Sequence, residues 1–418
     1  MQLFLVYLDI FFKDMSPRTA AAKTETRFPD IFGEVSCRHP LANSRGLVYT
    51  VFVRICATLT QSKRNQKMIK VIREKEINQM AIRVGINGFG RIARVIIRAA
   101  MNCPDVDIRA INWRNADLDY LVYMLKYDSI FGRFPKSLDH DDTGVFIDGK
   151  HIEVYKYSDA KEIPWKAAGV DYVIDCTGAY VTTDKAMDHI EAGAKHVIIS
   201  APAKDKVTPT FVYGVNQEKY SSDMQVVSNA SCTTNCLAPL MKVVEDNWGI
   251  KEGLMSTIHA ATAKQKVVDA KSLKDWRTGR SVFGNVIPST TGAAKAVGLV
   301  IPSLQGKMTG ISYRVPTADV SVIDVNIVTE KPTSHWQLRE KIKEASETYM
   351  KGVIEYVDDE VVSGDFVGDP CTSIFDARQT IELNDHFFKL IAYYDNEFGY
   401  CSNLLNMLHH MAKVDGNL

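Results

Sequence analysis

The feature that most constrains this chain is a glycine-rich turn caught between two differently patterned apolar runs. Residues 81–86 read as a short buried strand. The turn Gly85-Ile86-Asn87-Gly88-Phe89-Gly90-Arg91-Ile92 follows, and apolar residues then recur at helical spacing over residues 92–101. A second strand is predicted over residues 106–112, completing a βαβ unit. The glycine spacing is GxxGxG rather than GxGxxG. Glycines in such a turn let the backbone approach a pyrophosphate, and the helix behind it presents N–H donors and positive potential. Gly85, Gly88 and Gly90 are therefore candidate cofactor-binding residues.

The same alternation continues. A hairpin is predicted over residues 145–155 around Asp148-Gly149, then a strand at 171–175, a helix to about residue 192 and a strand at 196–200. After Asn229 the texture changes. A helix is predicted over residues 232–248, strands over 253–259, 307–316, 319–329 and 387–394, and a helix over 335–349. A closing amphipathic helix spans about 398–411, with Leu404, Leu405, Leu408 and Met411 on one face. The fold class expected is α/β: a doubly wound dinucleotide-binding domain over residues 81–230, then an α+β catalytic domain over 231–396. Residues 397–418 are expected to return to the first domain. A chain of 418 residues is long enough for two such cores.

Residues 1–80 show no sustained period and read as an extension or a non-native leader, with Met80 as an alternative start. They carry thirteen Lys/Arg against seven Asp/Glu, a net of +6, and the remainder carries 37 against 43, a net of −6. Nothing in that acidic body calls for a nucleic-acid partner. No run of about 18 apolar residues exists, so no membrane span is expected. The eight cysteines include no CxxC, and the Cys232/Cys236 pair alone makes no zinc site. Reduced thiols in a cytoplasmic protein are the simpler reading, and no metal is expected.

At the end of the second strand an acidic residue usually holds the ribose 2′-hydroxyl of NAD. Here the chain reads Ile111-Asn112-Trp113-Arg114. A carboxylate would repel a 2′-phosphate, whereas Arg114 can pair with one, so NAD and NADP both stand as candidate cofactors.

The segment Ser228-Asn229-Ala230-Ser231-Cys232-Thr233-Thr234-Asn235-Cys236 ends a strand and opens a helix. Ser231 suits the N-cap, which puts Cys232 in the first turn, where unpaired N–H groups favour a thiolate. Cys236, one turn on, reads as a small core residue. His259 ends a strand and is the candidate base for that thiol.

These motifs, with Ser289-Thr290-Thr291-Gly292-Ala293-Ala294-Lys295 and Tyr394-Asp395-Asn396-Glu397-Phe398-Gly399, resemble the glyceraldehyde-3-phosphate dehydrogenase family from about residue 80 to 413. The resemblance implies that Cys232 attacks an aldehyde, that His259 serves as base, and that inorganic phosphate cleaves a thioester. It implies Thr262 and Arg314 at the substrate phosphate. Ser231, Thr233, Thr291 and Gly292 are implied at the attacking phosphate. Asn87, Arg91 and Ile92 are implied near the pyrophosphate, Thr177 and Ser200 beside the nicotinamide, and Asn396 on its carboxamide. A helix N-cap is a second reading of Asn396. A homotetramer is implied as well.

Two departures stand out. Lys264 replaces a small polar residue at the first phosphate site. Ala270-Lys271 replaces the Gly-Pro of a loop that approaches a neighbouring subunit's adenosine ribose. The rival readings are a paralogue acting on erythrose 4-phosphate and a non-catalytic binding protein.

Overall fold

The structure, a computed structural model, describes residues 81–273 and 275–418. The expectations for residues 1–80 lie outside the described residues.

The first sheet grows from β1 (Ile82–Asn87), α1 (Arg91–Ala100) and β2 (Val106–Asn112). Next come α2 (Leu118–Lys126), β3 (Leu138–His140), β4 (Gly144–Ile147) and β5 (Lys150–Tyr155). β6 (Tyr172–Asp175), α3 (Thr183–Glu191), β7 (His196–Ile199) and β8 (Val226–Ser228) complete it. Its order is β3-β4-β5-β2-β1-β6-β7-β8. The β5-β2-β1-β6-β7-β8 pairs are parallel. Chain order reverses between β1 and β6, the switch point outside whose carboxyl ends such sheets bind ligands. β4 and β5 form the expected hairpin. Asp148 and Gly149 both have positive φ, 54° and 78°, as a two-residue turn of matching twist requires.

The second sheet follows α4 (Cys232–Trp248) and begins with β9 (Ile250–His259) and β10 (Ile287–Thr290). After α5 (Ala293–Val300) come β11 (Met308–Arg314), β12 (Ser321–Thr329) and α6 (His335–Glu347). β13 (Ile354–Val357), β14 (Ser373–Asp376), β15 (Ile381–Asn384) and β16 (Phe387–Tyr394) lead into α7 (Phe398–Val414). The order is β10-β11-β9-β12-β16-β14-β13, with β15 on β16. β12 alternates buried and half-buried residues throughout, the mark of a sheet covered on one face. α4 and α5 supply that cover: Leu237, Leu240, Met241 and Val244 join Val297, Ile323 and Val325 in one apolar cluster.

α7 packs on the first sheet's core. Leu404, Leu405, Leu408 and Met411 cluster with Val95, Ile96 and Ile111. Each such side chain contributes roughly 1.5–3 kcal/mol on full burial. The helix starts where it does because the Asp395 carboxylate accepts the N–H groups of Glu397 and Phe398, at 2.9 and 2.7 Å. The capping role therefore falls to Asp395, not to Asn396. The fold is a doubly wound Rossmann domain joined to an α+β domain. Among the described residues no helix is long and apolar enough to cross a membrane.

Candidate active site

β8 ends at Ser228, and the chain turns through Ala230, whose φ of 55° is unusual for a residue with a side chain. Ser231 caps α4 as expected, its Oγ accepting the Thr234 N–H at 3.1 Å. The Asn235 amide donates back to Asn229 O and Ser231 O, at 2.8 and 3.0 Å, and pins the turn. Cys232 is thereby held in the first turn of α4. Cys236 is fully buried behind it.

His259 ends β9 and Arg314 ends β11. The two residues are register partners in that parallel pair. His259 Nε2 lies 3.6 Å from Cys232 Sγ. Its Nδ1 lies 2.8 Å from the Ala260 carbonyl and 2.7 Å from Arg314 Nη1. Arginine only donates, so in this arrangement Nδ1 accepts and the ring proton sits on Nε2, facing the sulfur.

The electrostatics differ from the sequence expectation. Burial, the larger effect, lifts the Cys232 thiol above its ordinary value; Arg314 and Thr233 pull it down. Burial and then Arg314 push His259 down to about 3. Helix position alone is thus outweighed by desolvation, and the resting pair is a neutral thiol beside a neutral imidazole.

Sequence reading missed the residue that ties these elements together. Tyr394, the last of β16 and 1% exposed, bonds Thr233 of α4 at 2.9 Å and Thr257 of β9 at 2.8 Å. Its ring meets His259 edge-on. Burial alternates along β16 and turns Tyr394 inward, a local pattern that names neither of its two partners. Asn396 follows at once, its Oδ1 accepting from Ser321 Oγ at 2.6 Å. Asp319 is 4% exposed and, among the described residues, neither carboxylate oxygen has a hydrogen-bond partner. Burial, then Asp395 and Glu397, favour its protonated form.

The glycine turn lies at the switch point. Gly88 has φ of 100°, and a Cβ there would press on Cys176 and Thr177 at 3.2 Å. At Gly90 nothing lies within 4 Å of a built Cβ, so the backbone is open to close approach. Gly90 caps α1 with no side-chain bond, leaving the first-turn N–H groups unclaimed by any cap. These features fit a pyrophosphate. Gly85 lies inside β1, where its missing side chain admits Trp165; a Cβ would sit 2.6 Å from that ring.

Behind the turn every polar group is engaged. Asn87 donates to Asp175 at 2.7 Å and accepts from Asn112 at 2.9 Å. Asn112 also spends its amide on Tyr157, at 3.1 and 2.9 Å. His189 accepts from Trp165 Nε1 at 3.1 Å and faces Asp175 at 3.4 Å. Thr177 bonds the Asp175 carboxylate at 2.8 Å, and Ser200 bonds its carbonyl at 2.8 Å. Ile92 is half-buried against the first core. Arg91 is clasped by Asp128 and Glu397. Arg114 is exposed just past β2.

The remaining anion candidates sit on separate loops. Thr262 Oγ1 bonds Gln265 at 2.9 Å, and Lys264 is exposed. Thr291 Oγ1 accepts the Ala293 N–H at 3.2 Å, beside Gly292, the N-cap of α5. The structure joins Cys232, His259 and Arg314 through hydrogen-bond contacts and ties Thr233 to Thr257 through Tyr394; the bonds of Thr262 and Thr291 stay within their own loops.

A nucleotide-type switch point on the same chain as a thiol–imidazole pair is the layout of the dinucleotide-dependent oxidoreductase class. Comparison with known proteins resolves which one. Residues 82–183 match the glyceraldehyde 3-phosphate dehydrogenase NAD binding domain, and residues 231–396 match its C-terminal domain. Over 339 residues the chain is 55% identical to glyceraldehyde-3-phosphate dehydrogenase 1 of Mucor circinelloides f. lusitanicus, covering 81% of this chain and 100% of that protein. It is 51% identical over 333 residues to glyceraldehyde-3-phosphate dehydrogenase 3 of Saccharomyces cerevisiae, 80% and 100% covered. The enzyme of Phytophthora infestans is 53% identical over 330 residues, 79% and 99% covered. The chain belongs to the glyceraldehyde-3-phosphate dehydrogenase family.

Proposed function

We propose that the chain oxidises glyceraldehyde 3-phosphate with inorganic phosphate to 1,3-bisphosphoglycerate, in glycolysis and gluconeogenesis. The carrying observation is the 3.6 Å approach of Cys232 Sγ to His259 Nε2 beside Arg314. The relatives' names favour the triose over the erythrose substrate.

The substrate phosphate draws Arg314 off His259. The freed neutral ring then changes tautomer by exchange with solvent, losing its proton at Nε2 and gaining one at Nδ1, where the Ala260 carbonyl accepts it, and the vacated Nε2 takes the thiol proton. Sγ attacks the aldehyde carbon; the oxyanion is held by the Cys232 N–H and the imidazolium. The cofactor, when bound, accepts the hydride that leaves this thiohemiacetal. The imidazolium first gives its Nε2 proton to the oxyanion, and the neutral His259 takes that hydroxyl proton back as the thioester forms. Inorganic phosphate, held by Ser231, Thr233, Thr291 and Gly292, attacks the acyl carbon and Cys232 leaves as thiolate. Thr262 and Lys264 steady the substrate phosphate, and Lys264 adds a cation there.

Gly88, Gly90, Asn87, Arg91 and Ile92 shape the pyrophosphate site, Thr177 and Ser200 the nicotinamide side, and Asn396 the carboxamide. NADP is accepted beside NAD. The support is that β2 ends in a neutral amide, engaged with Asn87 and Tyr157, and not in a carboxylate that would repel a 2′-phosphate, while Arg114 is exposed. A kinetic preference between the two cofactors above about a hundredfold, near 3 kcal/mol, would remove dual use. Assembly as a homotetramer in the cytoplasm completes the reading. The deciding assay is phosphate-dependent reduction of cofactor by wild-type and Cys232→Ser proteins. At least about a thousandfold loss is expected in the variant, since the nucleophile is removed. An unchanged rate supports the non-catalytic rival.

A further inference from the structure

Ser321 opens β12 opposite Tyr394 and is completely buried. Its Oγ accepts the Ala260 N–H at 3.0 Å and donates to Asn396 Oδ1 at 2.6 Å. One hydroxyl therefore serves both halves of the site. Ala260 is also the residue whose carbonyl lies 2.8 Å from His259 Nδ1. On the other arm, the serine proton turns Asn396 Oδ1 toward Ser321, which leaves the NH2 as the end facing away, toward a ligand. With the amide reversed, Ser321 Oγ would accept twice and its own proton would lose its acceptor.

The backbone here is held against its preference. Val320 has φ of 59°, a genuine outlier for a β-branched residue. The turn places the unpartnered Asp319 carboxyl on one side of Val320 and Ser321 on the other. Asp395 and Glu397 face Asp319 and, after burial, raise its carboxyl, and Arg91 and Asp128 lie beyond Glu397. Strain of this kind persists where surrounding structure over-determines it.

We propose that Ser321 is a positioning residue that sets the donor end of Asn396 and the ring of His259 with a single hydroxyl. The proposal rests on the reading of Asn396 as the carboxamide holder and His259 as the base. It makes the choice of nicotinamide face and the setting of the base two consequences of one contact.

The test compares Ser321→Ala, Asn396→Ala and the double variant in three measurements. Cofactor affinity is read by titration of the protein's fluorescence. The face of nicotinamide C4 that receives deuterium from C1-deuterated glyceraldehyde 3-phosphate is read by NMR. The pH profile of iodoacetamide alkylation at Cys232 is read on cofactor-free protein. Ser321→Ala is expected to weaken cofactor binding about tenfold, like loss of one buried hydrogen bond, and to mix the two faces. Its alkylation profile should move up by about half a pH unit, because the His259–Ala260 peptide that carries the imidazole loses the anchor of its N–H. Asn396→Ala should reproduce the first two changes and not the third, and the double variant should add nothing to the binding loss.

If Asn396→Ala leaves binding and face selection intact, the carboxamide reading fails. If it impairs them while Ser321→Ala changes neither these nor the alkylation profile, the present inference is overturned. Should Ser321→Ala not fold, Ser321→Cys keeps a weak donor and should give partial mixing of faces; wild-type face purity there would also overturn it.

Discussion

The carboxyl ends of the two sheets solve opposite problems. At the first, Asn87, Asn112, Asp175, Thr177 and His189 bury a charge and several amides with partners for each. At the second, Cys232, His259, Arg314 and Asp319 are brought together with their preferences unmet. The thiol is raised, the imidazole is depressed to about 3, and Asp319 has no bonded partner. The first cluster is a frame: satisfied polar networks specify one geometry. The second is a reactive centre: groups whose protonation is displaced by burial are the ones a bound anion can retune. One chain thus spends its hydrogen bonds where shape matters and withholds them where protons must move.

The sharpest way to break this contrast is His259→Asn. The rate should fall about 10²–10⁴-fold, the usual contribution of a positioned base, while the folded state at neutral pH is not weakened. The pH dependence of stability has a definite sign. The native imidazole stays neutral until about pH 3, while the unfolded one binds a proton near 6.5. The unfolded state therefore binds more protons between these values, and stability falls as pH drops through that window. From pH 6.5 to 5 the loss from this group alone should be about 2 kcal/mol, absent in His259→Asn. Equal losses in denaturant melts of both proteins would contradict the assignment.

Asp175→Ala probes the frame and should behave in the reverse way. It strips partners from Asn87, Thr177 and His189 together. A stability loss of about 3 kcal/mol is expected, the range for breaking a buried pair and leaving groups unsatisfied. The alkylation rate of Cys232 in the folded protein should stay near wild type. A variant as stable as wild type, or one with an unreactive thiol, would erase the distinction between the two clusters.

These roles were unequally legible in the sequence. β2, α4 and β16 have the limits read from apolar period, because each is buried on a consistent face. Cys232 and His259 stood out because a capping serine and a strand end are local signals. Tyr394, Ser321, Asp175 and His189 gave no such signal: their importance lies in partners 14 to 161 residues away. β10 and β13–β15 were missed for a related reason. Each is four residues long, too short for a period to declare itself. The thiolate expected of Cys232 is opposed by burial, because helix position is visible in sequence and desolvation is not.

Arg114 gives the smallest and most conditional effect, since it stands outside both clusters. β2 ends in an asparagine whose amide belongs to the frame, so the ribose end of the site is left to an exposed side chain. An exposed cation on a phosphate is worth about 1 kcal/mol and is screened by salt. Arg114→Asp should replace that attraction with repulsion and offer the 2′-hydroxyl an acceptor. The ratio of kcat/KM for NADP over NAD should then fall about tenfold at low salt, and about threefold or less near 0.5 M salt. Turnover at saturating NAD should not move, because nothing in the thiol–imidazole pair touches this residue. A ratio that shifts less than about twofold at low salt would mean that Lys271 or an undescribed residue sets cofactor choice. A matching fall in saturated turnover would mean that frame and reactive centre are coupled, and that the contrast drawn between them is too clean.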